Sequence, residues 1–358
     1  MSCCVVFTGA GKPMERMRLG DLTPRGAELR VRVTCCTLCR SDLHTHSGRR
    51  IEPTPTVLGH EIVGRIEEFG PDAPRVDGNG EPLHMGDRVS WAVAVGCGDC
   101  FFCREDLPQK CERPFKYGHV RLDEQRPLGG GLSEHILLAP GTTCYRVPDV
   151  LPDSVAASAN CATATAAALL RYAGPMAGRS VLVFGAGVLG LTACAMARTS
   201  DASVVMASDP VASCRERART FGATLALDAR AALPEEVRSL TQGRGADVVL
   251  ELAGAAASAQ AALTSARVGG TILLAGTVAP VGTIAFDPEA AVRRMLTIRG
   301  VHNYHPRDLG TALAFLAGPG RDFPWQSLIA AEYALDEAEA AFASAHQQPG
   351  VRVAVVPR

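Results

Sequence analysis

The hydrophobic pattern in the first part of the chain predicts strands rather than helices. From Glu28 to Thr34 apolar and polar residues alternate, with Leu29, Val31 and Val33 on one face, which is typical of a half-buried strand. Three further apolar runs fit short strands: Val57–Leu58, Ile62–Ile66 and Arg88–Ala94. The polar segment 71–86 is rich in Pro and Gly and indicates a surface loop. This part therefore predicts a β-rich domain with irregular connections.

The pattern changes after Leu151. Residues Asp153–Leu170 are rich in Ala and predict a helix, and from Ser180 to Ala275 short apolar strands alternate with helical stretches. This alternation predicts βαβ units and a parallel sheet, so the fold class is α/β. Beyond Gly300 the pattern predicts three elements: a helix near Leu309–Leu316, an acidic helix near Asp336–His346 and a final strand Val351–Val355. We predict domains at 1–152 and 153–299, with 300–358 returning to complete the first.

Composition narrows the classes of partner. The 358 residues are 47% apolar and 20% charged, and the formal net charge is −1. Such a chain has no basic surface for nucleic acid or an anionic membrane. The N-terminal segment lacks the pattern of a signal peptide, and no apolar run reaches about 18 residues. We therefore expect a cytoplasmic protein whose 13 cysteines stay reduced, which favours metal ligation over disulfides.

Four cysteines in the segment 97–111, CGDCFFCREDLPQKC, have the spacing of metal ligands: Cys97, Cys100, Cys103 and Cys111. Thiolates at this spacing can close a tetrahedral zinc site about 2.3 Å from each sulfur, with no open position. Such a site holds a loop in place and does no chemistry. Scattered buried thiols that match this spacing by chance are the alternative, and a much poorer one.

A glycine-rich turn follows a predicted strand in VLVFGAGVLG, with Gly185, Gly187 and Gly190 ahead of a helix. This motif alone is weak, but the next strand ends at Asp209, nineteen residues after the last glycine, where an acid can accept hydrogen bonds from a ribose. The combination predicts dinucleotide binding. Because Asp209 would repel a 2′-phosphate, NAD is preferred to NADP, and Arg215 in the next helix is expected to face solvent.

Two further motifs, CRSDLH and GHEIVG, place Cys39 and His60 where a thiolate and an imidazole could bind a second metal. Cys161, in the helical segment ASANCATATA, is the candidate third ligand. Two cysteines and one histidine with water in the fourth position form an open, catalytic zinc arrangement.

The stretch GHEIVGRIEEFGPDA matches a known zinc signature at Gly59, Glu61, Gly64, Gly70 and Ala73. Since the four-Cys segment and the glycine-rich turn follow in the same order, the chain resembles a zinc-dependent alcohol dehydrogenase of the medium-chain dehydrogenase/reductase superfamily over essentially its whole length. The resemblance implies a GroES-like catalytic domain with a structural zinc lobe and a Rossmann domain with a doubly wound parallel sheet. It also implies two zinc ions per chain and NAD as cofactors, with hydride transfer in a cleft between the domains.

The resemblance assigns a role to individual residues around the metal. Cys39, His60 and Cys161 correspond to the catalytic zinc ligands, and Glu61 to the acid that can transiently coordinate the metal. The four-Cys segment corresponds to the structural zinc lobe.

Four residues of the motif CRSDLH carry roles in proton transfer and binding. Ser41 corresponds to the hydroxyl that takes the substrate proton, and His44 to the outer end of a relay to solvent. Asp42 would orient His60, and Arg40 occupies a position used against the cofactor pyrophosphate.

Substrate and assembly also follow from the resemblance. The combination GRR, LPQKC, KYGH, ANCATAT and HNYHP is similar to a branch associated with phosphonate catabolism, which implies a small phosphonate alcohol or aldehyde as substrate. Potential donors to such an anion are Lys116, Tyr117, His119, His302, Asn303 and Tyr304. The family forms homodimers and homotetramers, commonly by edge pairing of the nucleotide-binding sheets.

Alternative functions remain open at this point. A catalytically silent NAD-binding sensor or structural protein could use the same fold, and a polyol or threonine-type dehydrogenase would share the motifs. A zinc-free quinone reductase would lack the metal ligands and the four-Cys segment, and a zinc module for nucleic acid would need a basic face.

Overall fold

The predicted alternating segment forms a central strand of a mainly antiparallel sheet in the first of two units. The computed structural model describes residues 2–123, 129–229 and 233–357. The first unit comprises Met1–Ala164, Asn303–Ala317 and Trp325–Arg358, and the second comprises Thr165–His302 and Gly318–Pro324. The predicted boundaries lie after residues 152 and 299.

The elements up to residue 173 are, in chain order, β1 (Cys3–Val6), β2 (Glu15–Arg18), β3 (Leu29–Thr37), α1 (Arg40–His46), β4 (Glu61–Phe69), β5 (Arg88–Trp91), β6 (Ala94–Val95), α2 (Phe101–Arg104), β7 (Phe115–Lys116), β8 (His135–Leu138), β9 (Cys144–Arg146), α3 (Asp153–Ala157) and α4 (Ala162–Ala173). Single 3₁₀ turns cover Pro108–Lys110 and Ser158–Asn160. The helix α4 continues from the first unit into the second.

The remaining elements are β10 (Ser180–Phe184), α5 (Val188–Thr199), β11 (Val204–Ser208), α6 (Ala212–Thr220), β12 (Leu225–Leu227), α7 (Leu233–Leu240), β13 (Ala246–Glu251), α8 (Ala256–Ser265), β14 (Ala266–Leu274), α9 (Pro288–Arg293), β15 (Thr297–Gly300), α10 (Pro306–Ala317), β16 (Ile329–Ala334), α11 (Ala338–Gln347) and β17 (Arg352–Val356). Two more 3₁₀ turns lie at Trp325–Leu328 and Leu335–Glu337.

The sheet of the first unit has the order β16-β17-β3-β4-β5-β9, and β8 also pairs with β3. The long antiparallel pair β3–β4 places Thr37, at the end of β3, opposite Glu61, at the start of β4. Gly64 is required in β4, because a Cβ there would approach the Arg32 carbonyl oxygen to 2.5 Å. The final strand β17 lies in this sheet between β16 and β3, with Ala354 opposite Thr37.

The second unit contains a six-stranded parallel sheet in the order β12-β11-β10-β13-β14-β15. This is the order of a Rossmann fold, and it reverses between β10 and β13. All five residues of β10 are buried, as expected for a central strand covered on both faces. The prediction of an α/β fold class, with a doubly wound parallel sheet in one domain and a separate β-rich domain, is thereby confirmed.

Several predicted elements differ in the structure. Val57–Leu58 is not a strand, although both residues are buried. The predicted helix Asp153–Leu170 is interrupted at Cys161, whose backbone has φ −132° and ψ −81°. In the part of the chain that the structure describes, no helix is long and apolar enough to cross a membrane.

Candidate active site

The ligand atoms of Cys39, His60, Glu61 and Cys161 lie within 4.8 Å of one another in the first unit. Cys39 immediately precedes α1, His60 precedes β4, and Cys161 precedes α4. The Cys39 and Cys161 sulfurs are 3.7 Å apart. Two thiols and an imidazole at this separation fit the donor set of a catalytic zinc site.

Asp42 joins the two sides of this cluster. Its buried carboxylate accepts the backbone N–H of Cys39 at 2.9 Å and of Gly59 at 3.2 Å. It also lies 3.1 Å from Nδ1 of His60. Because a carboxylate only accepts hydrogen bonds, His60 donates through Nδ1 and keeps Nε2 for a metal. The turn requires glycine at residue 59, where φ is +88° and a Cβ would lie 2.5 Å from the Cys36 sulfur.

Glu61 is held by a residue that the sequence motifs did not reveal. Arg352 on β17 donates from Nε and Nη2 to the two carboxylate oxygens, each at 2.8 Å, and Thr37 donates its hydroxyl at 2.6 Å. Nη2 of Arg352 also lies 3.6 Å from the sulfur of Cys39. Burial raises the pKa of Glu61, and the Arg352 charge opposes that shift. The only signal in the sequence is one cation within the apolar terminal strand.

The thiol environment favours a thiolate at Cys39. The hydrogen bond from the Cys161 thiol, followed by the charge of Arg352, lowers the pKa of Cys39 below its ordinary value. A zinc ligand must be a thiolate, so this environment suits metal binding. The prediction that Cys161 lies within a helix is wrong. Cys161 is the non-helical residue between a 3₁₀ turn and α4, and its sulfur lies with the other candidate ligand atoms.

Helix α1 carries the three remaining candidates of the motif CRSDLH. The Ser41 hydroxyl lies 3.4 Å from Nε2 of His60, at the metal-binding side of the imidazole. His44 follows one turn later, and burial, with the nearby Arg40 and Arg49 charges, lowers its pKa. Arg40 is exposed in the first turn of α1.

The second cysteine cluster is formed by one continuous segment. The sulfurs of Cys97, Cys100, Cys103 and Cys111 lie within 4.8 Å of one another. The Cys111 sulfur accepts the backbone N–H of Cys97 at 3.2 Å and of Arg113 at 3.3 Å. Backbone N–H groups, first that of Glu112, lower the pKa of Cys100 to about 6. Four sulfurs with thiolate-stabilising donors fit a closed structural zinc site.

The glycine-rich turn of the second unit has the geometry of a dinucleotide site. Gly185 has φ +91°, and a Cβ on Gly190 would lie 1.8 Å from the Gly185 carbonyl oxygen. A Cβ on Gly187 would have no described atom within 4 Å apart from those of its neighbours in the chain. That space adjoins the N-terminus of α5, whose unpaired N–H groups suit a pyrophosphate. The turn therefore fits the predicted cofactor.

Asp209 follows β11 beside this turn. Its carboxylate accepts the backbone N–H of Ala186 at 2.9 Å and of Val211 at 2.8 Å. The expectation that Arg215 faces solvent is wrong. Arg215 donates to the Asp209 carbonyl oxygen at 2.8 Å and lies 3.3 Å from an Asp228 carboxylate oxygen. The register of β11 with β12 places Asp209 and Asp228 together at the carboxyl ends of these strands, and the guanidinium turns inward to contact both residues.

Cationic side chains surround His119 in the first unit. Burial, followed by the nearby His60, Arg50 and Lys116, lowers the pKa of His119. Burial and then Arg50 also lower the pKa of Lys116. The carboxylate of Glu52 lies among these cations. It forms an ion pair with the Arg50 guanidinium, and its Oε1 lies 3.6 Å from Nδ1 of His119. Sequence reasoning missed Arg50 and Glu52.

Two predicted anion donors are engaged elsewhere. The Tyr117 hydroxyl is buried, with Thr142 at 2.6 Å and the Ala139 N–H at 2.8 Å. The Tyr304 hydroxyl accepts the Val93 N–H at 3.1 Å and donates to the carbonyl of Asn160. These hydroxyls satisfy buried backbone groups, so the prediction that they hold a substrate anion is wrong. His302 and Asn303 fall on either side of the boundary between the units.

Comparisons with known proteins place the chain in a family. The family model described as an alcohol dehydrogenase GroES-like domain matches residues 25–149, and the one described as a zinc-binding dehydrogenase matches residues 188–318. An alcohol dehydrogenase structure from Thermotoga maritima superposes with a TM-score of 0.91 at 29% identity, covering 100% of this chain and 99% of that one.

Curated relatives agree with the structural likeness. An L-threonine 3-dehydrogenase of Thermococcus kodakarensis is 30% identical over 288 residues, 79% of this chain and 77% of the relative. A 5-exo-hydroxycamphor dehydrogenase of Pseudomonas putida is 30% identical over 329 residues, 90% of this chain and 89% of the relative. The chain therefore belongs to the zinc-dependent alcohol dehydrogenases of the medium-chain dehydrogenase/reductase superfamily, and is an oxidoreductase that uses zinc and NAD(H).

Proposed function

We propose that this enzyme transfers hydride reversibly between NAD and a small alcohol or aldehyde that carries an anionic group. The observation that carries the proposal is the convergence of Cys39, His60 and Cys161, with the Ser41 hydroxyl 3.4 Å from His60. A complete ligand set beside a proton acceptor favours a working active site over a silent NAD-binding protein.

Zinc bound to this set supplies Lewis acidity that lowers the pKa of an alcohol hydroxyl, and nicotinamide supplies the hydride acceptor. The side chains of this protein handle the proton and the orientation of the ligands. Ser41 accepts the hydroxyl proton, and His44, one turn later on α1, passes it toward solvent. Asp42 fixes the His60 ring by accepting its Nδ1–H, so that Nε2 keeps one direction. Glu61, held by Arg352, is the acid within reach of the metal position.

An anionic substrate is supported by the charges near His119. Arg50 and Lys116 face one carboxylate, that of Glu52, and in the part of the chain that the structure describes Lys116 has no carboxylate oxygen within 4.0 Å. Two cations and one acid leave a formal excess of positive charge. A phosphonate held by charge-assisted hydrogen bonds would gain from this excess, whereas a neutral alcohol would not. The excess positive charge therefore supports a phosphonate-bearing substrate, as the resemblance to the phosphonate-associated branch implies.

A threonine-type dehydrogenase is the second candidate. It is favoured by the relatives named L-threonine 3-dehydrogenase, from Thermococcus kodakarensis and Pyrococcus horikoshii, at 30% and 29% identity. L-Threonine also carries a carboxylate beside its secondary alcohol, so the same cations could hold it. Relative kcat/KM values for L-threonine and a hydroxyalkyl phosphonate separate the two candidates.

For the cofactor, we propose NAD rather than NADP. Asp209, at the end of β11, presents its carboxylate where the adenosine ribose would lie, and a 2′-phosphate there would be repelled. Equal or tighter binding of NADP in a direct titration of both cofactors would contradict this preference.

We also propose that two copies of the chain associate through β15. Among the described strands, β15 pairs only with β14 and forms an open edge of the parallel sheet. Exposed apolar side chains accumulate in the segments before it: Val268, Val278, Phe286, Val292 and Met295. A backbone bond of 2.7 Å from Gly269 to Arg294 brings two of these segments together. A second copy would cover the edge and the apolar residues, giving a homodimer or a homotetramer.

We also propose a cytoplasmic location, since six candidate ligand thiols must stay reduced to bind metal. Cell fractionation with a specific antibody measures it, and recovery from an oxidising compartment would contradict it.

Metal analysis of the purified protein should give two zinc ions per chain, one for each cluster. Replacing Cys39 with Ala should remove one zinc and the activity while the fold is retained, whereas Cys103→Ala should chiefly lower thermal stability, because a structural site contributes folding free energy. Cys144→Ala, a buried thiol outside both clusters, is the matched control and should keep both ions. Turnover at the unmodified rate in the Cys39 variant would overturn the assignment. Zinc in the lobe alone, with NAD bound and no turnover, would support the silent alternative.

Replacing Ser41 with Ala should lower kcat for alcohol oxidation by about 10²–10⁴, because a positioned proton acceptor is lost. The dissociation constant for NADH, measured by fluorescence, should stay unchanged. Ser47→Ala, at the exposed C-terminal end of the same helix, is the control and should oxidise alcohol normally. Unaltered oxidation kinetics in the Ser41 variant would exclude the relay.

Replacing Lys116 with Gln should reduce kcat/KM for an anionic substrate by about 10- to 150-fold, the value of one hydrogen bond to a charged group. The kinetics of ethanol or benzyl alcohol should change little. The control is Lys12→Gln, at an exposed site. If neutral alcohols give the highest kcat/KM of the panel and the Lys116 variant has unchanged kcat/KM for every substrate, the proposal of an anionic substrate is refuted.

Light scattering after size exclusion should give the mass of two or four chains. Replacing Val292 and Met295 with Asp should shift the mass toward one chain, because charges would be buried at the proposed edge. Val150→Asp, equally exposed in the first unit, should leave the mass unchanged. A single-chain mass for the unmodified protein at micromolar concentration would refute the association.

A further inference from the structure

We infer that Asp228 is a specificity-determining residue that weakens the binding of NADP by restraining Arg215, an arginine otherwise suited to a 2′-phosphate. The inference deepens the proposed function and rests on its placement of the adenosine ribose at Asp209. Neither the glycine-rich motif nor the zinc motifs involve Asp228, which follows the short strand β12.

The topology of the second unit brings the two acids together. Strands β11 and β12 are parallel, with Ser208 opposite Leu227, so Asp209 and Asp228 are the next residues at the same carboxyl edge. The backbone N–H of Asp209 bonds to the carbonyl of Leu227 at 3.2 Å and fixes this alignment. Ligands of open α/β sheets bind outside this edge. Both carboxylates therefore lie at the end of the sheet where the adenosine is proposed to bind.

Arg215 lies between the two acidic residues. Nη1 donates to the Asp209 carbonyl at 2.8 Å, and Nη2 is 3.3 Å from Oδ2 of Asp228. The side chain is only 20% exposed, so the guanidinium is not a mobile surface charge. The Asp209 carboxylate oxygens accept the N–H groups of Ala186 and Val211. Asp228 is consequently the carboxylate that engages the guanidinium directly.

The consequence is a negative local charge. One arginine between two carboxylates leaves a formal charge of −1, which disfavours a phosphate that carries about −1.5 to −2 at pH 7. Arginine matches phosphate through two parallel hydrogen bonds, and here both arms of its fork already have acceptors. Removing the Asp228 charge would free one arm and leave a formal charge of zero. Asp209 alone would then oppose the 2′-phosphate.

The test measures binding without substrate or zinc chemistry. Calorimetric titration of the full-length holoenzyme with adenosine 2′,5′-bisphosphate and with 5′-AMP gives the ratio of the two affinities. Replacing Asp228 with Asn should shift that ratio toward the bisphosphate by up to about fivefold, the effect of a partly exposed ion pair. The shift should shrink at 0.5 M salt, because the interaction is electrostatic.

Two further variants identify the cause. Adding Arg215→Gln to the Asp228 variant should abolish the gain, since the freed guanidinium is its source. Glu289→Gln removes an acid that pairs with Arg293 on exposed α9 and serves as the matched control. An unchanged ratio in the Asp228 variant, a gain that persists without Arg215, or an equal gain in the control would each overturn the inference. Failure of the unmodified protein to bind either nucleotide would instead refute the proposed dinucleotide site, and the inference with it.

Discussion

The buried carboxylate of Asp42 is the interaction on which the geometry of the active site depends. It is inaccessible to solvent and accepts hydrogen bonds from the start of α1, from the Gly59 turn and from the ring of His60. A buried charge without such partners costs several kcal/mol, so the two segments cannot separate without a large loss of stability. Cys39 and His60 are thereby held at one distance, although they come from different elements.

A second buried pair extends this constraint to the last strand. Glu61 and Arg352 form a two-pronged ion pair in the sheet, with Thr37 completing the donors to the carboxylate. The arginine also approaches Cys39, so one cation compensates both an acid and a thiolate. Without it, two negative groups would lie together out of water, and one would have to take up a proton. The C-terminal return of the chain is therefore part of the electrostatics of the active site.

Residues that the sequence grouped by local spacing are brought together in the structure. The four cysteines of the lobe lie in one segment, and the glycine turn with Asp209 follows strand and helix periodicity, so spacing alone was informative. Sequence reasoning failed where tertiary contacts decide. Arg352 reaches Glu61 across 291 residues, and Arg215 turns inward because of the register of β11 with β12. The hydroxyls of Tyr117 and Tyr304 looked available, but buried backbone groups required them. No local pattern carries such information.

Charge is arranged in opposite senses in the two units. In the first, one acid, Glu52, lies among the cations Arg50 and Lys116, and in the second one cation, Arg215, lies between two acids. The first arrangement favours a bound anion and the second disfavours one. Under the proposed function, the cations near His119 would attract an anionic substrate to the metal cluster. The acids near Arg215 would disfavour a phosphate at the position where the ribose hydroxyls bind. Specificity for both reactants then rests on a local excess of one formal charge, which a single neutral substitution would cancel.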